Sequence, residues 1–183
     1  MVDSTKTSSL EEEFTKALRA IPDFPKEGIL FRDITPLFMQ PELCGRVTQH
    51  LKSKVAHLKL DAIAGIETRG YLFGFALAQA MKLPFIIIRK AGKLPGAVVK
   101  QDYGLEYGKA AIEIQEGLVP AGSKVLIHDD LLATGGTAMA AAELITAVKA
   151  EVAGFLFLID LVALKGKEKL MKCSPEIISL VEL

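Results

Sequence analysis

The chain reads as an α/β protein built on a central parallel sheet flanked by helices, and three observations lead there. From Asp61 onward, apolar runs of strand length (62–66, 84–88, 124–127 and 152–159) alternate with helical segments (70–81 and 136–150). The runs are nearly continuous rather than alternating apolar with polar, the pattern of strands buried on both faces. Half of the 183 residues are hydrophobic, enough for the core of one domain, while the length is too short for two ordinary ones.

The elements follow in order. Residues 1–8 are polar, after which Ser9-Leu10-Glu11-Glu12 offers a capping box for an amphipathic helix running to about residue 20 and stopped by Pro22. Pro22, Pro25, Gly28 and Pro36 interrupt regular structure around the apolar residues 29–31. That stretch reads as an extended arm or short strand, its approach stiffened by Pro22-Asp23-Phe24-Pro25. A second helix is predicted over 41–58. A single domain of residues 1–183 is expected, opening with this N-terminal arm. Within the alternating part, residues 91–109 carry four glycines and a proline, too polar and interrupted for the core, so the expectation there is a flexible lid loop. Residues 110–115 read as a strand closing the lid and 176–183 as a terminal strand. No internal repeat interrupts this plan.

Composition excludes several function classes. Lysine plus arginine equal aspartate plus glutamate at 22 each, so no bulk attraction to nucleic acid or an anionic membrane is implied. The two cysteines, Cys44 and Cys173, stand far apart without a metal-ligand spacing, and no signal peptide or uninterrupted apolar span of ~20 residues occurs. A reduced, cytoplasmic protein is expected. No G-x-x-x-x-G-K-[ST] motif for a nucleoside triphosphate is present.

The most informative stretch is residues 125–137. An apolar run (125–127) leads to Asp129 and Asp130, whose charges cannot sit unpaired in a core and are expected to end the strand at its carboxyl edge. Ligands of parallel α/β sheets bind beyond that edge. Ala133, Thr134, Gly135, Gly136 and Thr137 then supply two hydroxyls and glycine N–H groups at the start of the Ala-rich helix 138–145, where the dipole favours an anion. The pair of aspartates would repel a polyphosphate lying on it and suits the donors of vicinal ribose hydroxyls or a bridging Mg²⁺. An isolated Asp-Asp pair equally well caps a turn, but the ordered series of strand, acids, Thr-Gly-Gly-Thr and helix favours a site for a phosphorylated sugar.

Other residues belong to the same chemistry. Gly65-Ile66-Glu67-Thr68-Arg69-Gly70 puts an arginine and a hydroxyl between a strand and a helix start, a second place to collect phosphate oxygens, although Glu67 and Arg69 could simply pair with each other. Arg89, Lys90 and Lys93 gather cations at a strand end, each individually also readable as a solvated charge. Phe31 beside Arg32 can stack a purine and bond its ring nitrogens, or be ordinary core. Glu106 in the lid can serve as an acid if the lid excludes water, or be solvated. His50, His57 and His128 form no catalytic spacing, and His128 is expected to be a partly buried strand histidine.

Residues 125–137 resemble the phosphoribosyl-diphosphate signature of the type I phosphoribosyltransferases. Residues 22–37, PDFPKEGILFRDITPL, and Gly92-Lys93-Leu94-Pro95-Gly96 with Leu105-Glu106-Tyr107-Gly108 are similar to the branch of that family that uses adenine. The resemblance runs over residues 22–169. It implies the type I fold, with an arm and small hood over about residues 1–38 and a flexible lid loop over about 91–109, and the conversion of adenine and phosphoribosyl diphosphate to AMP and diphosphate in purine salvage. Mg²⁺ would arrive with the phosphoribosyl diphosphate, near Asp129 and Asp130. By resemblance, Lys90 and Lys93 meet the diphosphate, Arg69 is expected to bind it and act catalytically by neutralising it as it leaves, and the turn 133–137 meets the 5′-phosphate. The backbone of Leu30 pairs with the adenine edge, Phe31 stacks on the base, Arg32 contacts a ring nitrogen and Glu106 is the catalytic acid. A homodimer is implied, in which a basic residue reaches the neighbour's site. The family usually has aspartate and serine where Glu67 and Thr68 stand, and an aliphatic residue at His128. Rival readings are a hypoxanthine, guanine or xanthine transferase, disfavoured by Phe31-Arg32, and a non-catalytic regulator, which would carry a nucleic-acid-binding module that is not apparent here.

Overall fold

The computed structural model describes residues 8–105 and 108–183, and the chain divides into two compact units, residues 1–51 and 52–183. In the first unit, helix α1 (Leu10–Ala17) is capped by Ser9, whose hydroxyl accepts from the Glu12 N–H. Glu11, Glu12 and Glu13 occupy its first turn, where negative charge complements the helix dipole. It stops earlier than expected because strand β1 (Arg19–Ile21) pairs antiparallel with β2 (Phe31–Asp33), so the end of the predicted helix and the extended arm form a two-stranded sheet. A 3₁₀ turn (Thr35–Met39) leads into α2 (Pro41–Lys54), shorter than the predicted 41–58. Phe14, Ile34, Leu37, Val47 and Leu51 are fully buried or nearly so.

Asp33 ties this unit together. Its Oδ1 accepts from the Thr35 N–H at 2.9 Å and hydroxyl at 2.5 Å, and its Oδ2 meets the Arg19 guanidinium at 2.6 Å. These partners, Thr35 foremost, hold its carboxyl down from 3.8 to about 2. A carboxyl that is more acidic folded than unfolded stabilises the fold above its unfolded pKa and ceases to do so as pH falls through the folded one. Urea unfolding should therefore show about 2 kcal/mol of stability lost between about pH 4 and pH 2 that an Asp33→Asn chain does not lose. Parallel pH profiles of the two chains would count against this account.

The second unit is built on one seven-stranded sheet. Its strands are β3 (Ala62–Ile66), β4 (Phe85–Lys90), β5 (Val98–Leu105), β6 (Gly108–Gln115), β7 (Lys124–Leu132), β8 (Glu151–Asp160) and β9 (Ile177–Glu182), in the spatial order β5-β6-β4-β3-β7-β8-β9. From β4 to β9 neighbouring strands are parallel, while β6 pairs antiparallel with β4 and with β5. Helices α3 (Gly70–Met81), α4 (Gly136–Ala147) and α5 (Gly166–Leu170) complete the unit. The parallel strands bury the runs that read as continuously apolar: Ile63, Ile66, Ile88, Leu126, Ile127, Phe155 and Phe157 are all within 2% of complete burial. The α/β expectation holds.

Three local expectations are corrected. The stretch 91–109, read as a lid loop, contains β5, paired with β6 from Val98↔Gln115 to Leu105↔Gly108. Its polar composition misleads because an edge hairpin keeps one face in solvent and needs no continuous apolar run. Strand β7 continues through Asp129 and Asp130 to Leu132, so the acids lie within the ladder rather than beyond it. His128 is wholly buried, with Nδ1 2.8 Å from the Leu156 carbonyl, and burial pushes its pKa down to about 4. A neutral imidazole donating from Nδ1 is a core group in this setting.

Candidate active site

The carboxyl ends of β3 and β7 bring together the residues read from the two phosphate motifs. Arg69 precedes α3, and its Nε lies 3.0 Å from Oδ2 of Asp130, which is 3% exposed. The ion pair between Glu67 and Arg69 is not formed. Glu67 instead accepts from the Arg89 Nε at 3.2 Å and from the Lys90 N–H at 2.9 Å. Gly70 permits this closeness: a Cβ there would lie 2.7 Å from the His128 carbonyl oxygen and 3.1 Å from Asp129 Oδ1. The first turn of α3 is thereby seated against β7, carrying Arg69 to Asp130.

Asp129 Oδ1 accepts from the Asp130 N–H at 2.9 Å. Burial and the neighbouring charge of Asp130 raise the pKa of Asp129 well above the usual carboxylate value; burial also raises that of Asp130, with Arg69 offsetting part of the effect. Two adjacent, desolvated carboxylates favour hydroxyl donors or a cation. The pair thus fits both readings made of it, ribose hydroxyls and a substrate-borne Mg²⁺.

Beyond β7, Gly135 adopts φ 75° as the cap before α4. The helix begins at Gly136, so its first N–H groups lie before the intrahelical ladder takes up donors. Asp129, Thr134, Gly135, Gly136, Thr137 and Ala138 line a cavity of about 80 Å³. That is far below the ~300 Å³ at which pockets begin to hold whole small molecules, and it suits a single phosphate group. A larger cavity of about 520 Å³ opens beside Asp61, Leu118 and Ser123 and contains none of the candidate residues.

Lys90 ends β4, Lys93 lies in the turn that follows, and both are exposed. Leu30, Phe31 and Arg32 sit together in the first unit, Leu30 exposed and the other two half-buried. Glu106 lies outside the described residues. Two residues near the site were not read from the sequence. A Cβ on Gly136 would lie 3.8 Å from Lys169 Nζ and 3.9 Å from Thr134 Oγ1, so an α5 lysine adds positive charge beside the phosphate turn. Glu113, wholly buried, accepts three backbone N–H groups from residues 92–94. No sequence pattern marks either residue, because each reaches its neighbours across the fold.

The strand ends of this parallel sheet carry an acidic pair, a small glycine turn and an arginine, and residues 38–178 match the phosphoribosyl transferase domain. The chain belongs to that family, within its adenine phosphoribosyltransferase branch. It is 47% identical over 162 residues to the adenine phosphoribosyltransferase of Synechococcus sp., covering 88% of this chain and 92% of that protein. The adenine phosphoribosyltransferase of Thermoanaerobacter pseudethanolicus superposes with a TM-score of 0.91 at 41% identity, over 94% of this chain and 99% of that one. The Saccharomyces cerevisiae enzyme, solved with an imino-altritol bisphosphate and adenine, superposes at 0.88 with 42% identity, over 96% and 100%.

Proposed function

We infer that the chain transfers the 5-phosphoribosyl group of phosphoribosyl diphosphate to adenine, giving AMP and diphosphate. The observation that carries this reading is the conjunction of the Asp129-Asp130 pair with the turn 133–137 at one sheet edge. The whole chain, 1–183, would act as one catalytic domain, with its arm and hood at 1–38. As diphosphate departs, positive charge develops at the ribose C1, so groups that stabilise the leaving group act on the transition state. Arg69, Lys90 and Lys93 supply positive charge for it, Asp129 and Asp130 hold the ribose hydroxyls, and the N–H groups of Gly135, Gly136 and Thr137 hold the 5′-phosphate. Ala133 contributes backbone to the same turn. Mg²⁺ bound to the substrate would screen the diphosphate charge. Leu30, Phe31 and Arg32 form the purine-facing arm.

The assembly we propose is a homodimer. Leu72 and Phe75 on α3 and Ile87 on β4 are 45%, 52% and 44% exposed, apolar surface of the kind a subunit interface covers. A cytoplasmic setting is consistent with the two free thiols, Cys44 and Cys173. No described helix is long and apolar enough to cross a membrane.

The direct test is release of AMP and diphosphate from adenine, phosphoribosyl diphosphate and Mg²⁺, followed in single turnovers for the unaltered chain and for Glu106→Gln. Glutamine keeps the size and hydrogen bonding of glutamate and cannot exchange a proton, so the expected loss is ~10²–10⁴-fold in rate with AMP affinity unchanged. Full activity in Glu106→Gln would remove Glu106 from the mechanism, whereas no AMP from the unaltered chain would overturn the assignment itself.

A further inference from the structure

The short segment that carries both lysines assigned to the diphosphate is held in place by two carboxylates. The Lys90 N–H donates to Glu67 Oε2 at 2.9 Å, and the Arg89 Nε donates to the same oxygen at 3.2 Å. Arg89 then closes the loop onto Lys93, its Nη1 donating to the Lys93 carbonyl at 3.0 Å. On the other side, Glu113 Oε2 accepts from the Gly92 N–H at 2.9 Å, and its Oε1 accepts from the N–H groups of Lys93 and Leu94 at 2.8 and 2.7 Å. The backbone of each diphosphate lysine is therefore bonded to a glutamate, directly at its N–H, and Lys93 is held at its carbonyl as well.

Glu113 is an unusual residue to bury. It lies in β6 opposite Arg89 on β4 and Lys100 on β5, and it is wholly inaccessible. A buried carboxylate is costly unless hydrogen bonds and charge compensate it. Here the three N–H groups, with Lys100 Nζ 4.0 Å away, provide that compensation and hold its pKa below the ordinary value. Three converging backbone N–H groups form an anion nest, which a free phosphate could otherwise fill. Since the protein fills this nest itself, the turn is committed to one conformation and its lysine side chains remain exposed.

We propose that Glu67 and Glu113 are positioning residues for the diphosphate half of the substrate: by pinning residues 90–94 from two sides, they fix where the ammonium groups of Lys90 and Lys93 are presented. This rests on the transferase reading above. The Glu67 side chain thereby spans from the β3–α3 connection to the end of β4.

The experiment is steady-state kinetics in both directions on the full-length chain, comparing Glu113→Gln, Glu67→Gln, Lys93→Met and the double variant Glu113→Gln/Lys93→Met. Each glutamate variant should raise KM for phosphoribosyl diphosphate, and for diphosphate in the reverse reaction, about tenfold or more, with KM for adenine and AMP within about twofold. The double variant should be little worse than Lys93→Met alone, because the glutamate acts through that lysine. Glu67→Gln alters no fully buried group, so it tests the idea even if Glu113→Gln melts at a lower temperature. Equal rises in KM for AMP and diphosphate, or additive losses in the double variant, would overturn the proposal. An unaltered chain that forms no AMP would instead overturn the transferase reading and the proposal with it.

Discussion

A Gly135→Val chain is expected to fold and to lose about 10²- to 10⁴-fold in kcat/KM for phosphoribosyl diphosphate, with AMP binding weakened in parallel. Two costs combine. Gly135 sits at φ 75°, where a β-branched residue is strained by ~1–3 kcal/mol, so the turn would relax away from its present shape. A Cβ there would also lie 3.0 Å from the Gly166 carbonyl oxygen, backbone that cannot swing aside as a side chain would. Reshaping the turn withdraws N–H donors from a charged acceptor, each worth ~1.5–3 kcal/mol. Thr134→Ser keeps the backbone and the hydroxyl and should stay within a few-fold of the unaltered chain. Isothermal titration with AMP, beside a thermal melt to establish folding, is the measurement. Normal AMP affinity in folded Gly135→Val protein would show that the turn is not the phosphate cradle.

What the sequence made legible and what it hid divide along a physical line. Asp129, Asp130 and residues 133–137 were readable because one strand, one turn and one helix start deliver them consecutively, so their order is the geometry. The parallel strands were readable because burial on both faces leaves an uninterrupted apolar run. β1 and β5 were missed because each is an exposed strand defined by its partner, β2 or β6, rather than by its own periodicity. The role of Glu113 depends on a register match between β4 and β6 that no local pattern encodes. Glu67 illustrates the intermediate case: its place beside Arg69 was visible, but its actual partners, Arg89 and the Lys90 N–H, come from another strand. Full burial of His128 likewise follows from the layers around β7, not from its neighbours in the chain.

Adenine should be favoured over hypoxanthine by roughly 10⁴-fold or more in kcat/KM. The proposed reader of the base is the backbone at Leu30, and the arm around it is rigid enough to discriminate. Ile29 is bonded on both sides, its N–H donating to the Lys26 carbonyl at 3.2 Å and its carbonyl accepting from the Phe24 N–H at 3.3 Å. Phe31 is fixed in β2 opposite Ile21 and packs edge-on against Phe24, with ring centroids 5.1 Å apart. Leu30 is therefore held between two anchored neighbours. A backbone N–H facing the N1 acceptor of adenine, with a carbonyl facing its amino group, would meet a protonated N1 and an oxo group in hypoxanthine. Donor then faces donor and acceptor faces acceptor, and a fixed backbone cannot rotate to repair the mismatch. Stacking on Phe31 does not distinguish the bases, since both present a similar π-face. Phe31→Ala should accordingly lower kcat/KM for both bases by a similar factor and leave their ratio unchanged. Competition of the two bases for limiting phosphoribosyl diphosphate gives the ratio directly. A ratio below about 10² would remove backbone recognition at Leu30, because a site that hydrogen-bonds its substrate rejects the mismatched analogue by far more than that.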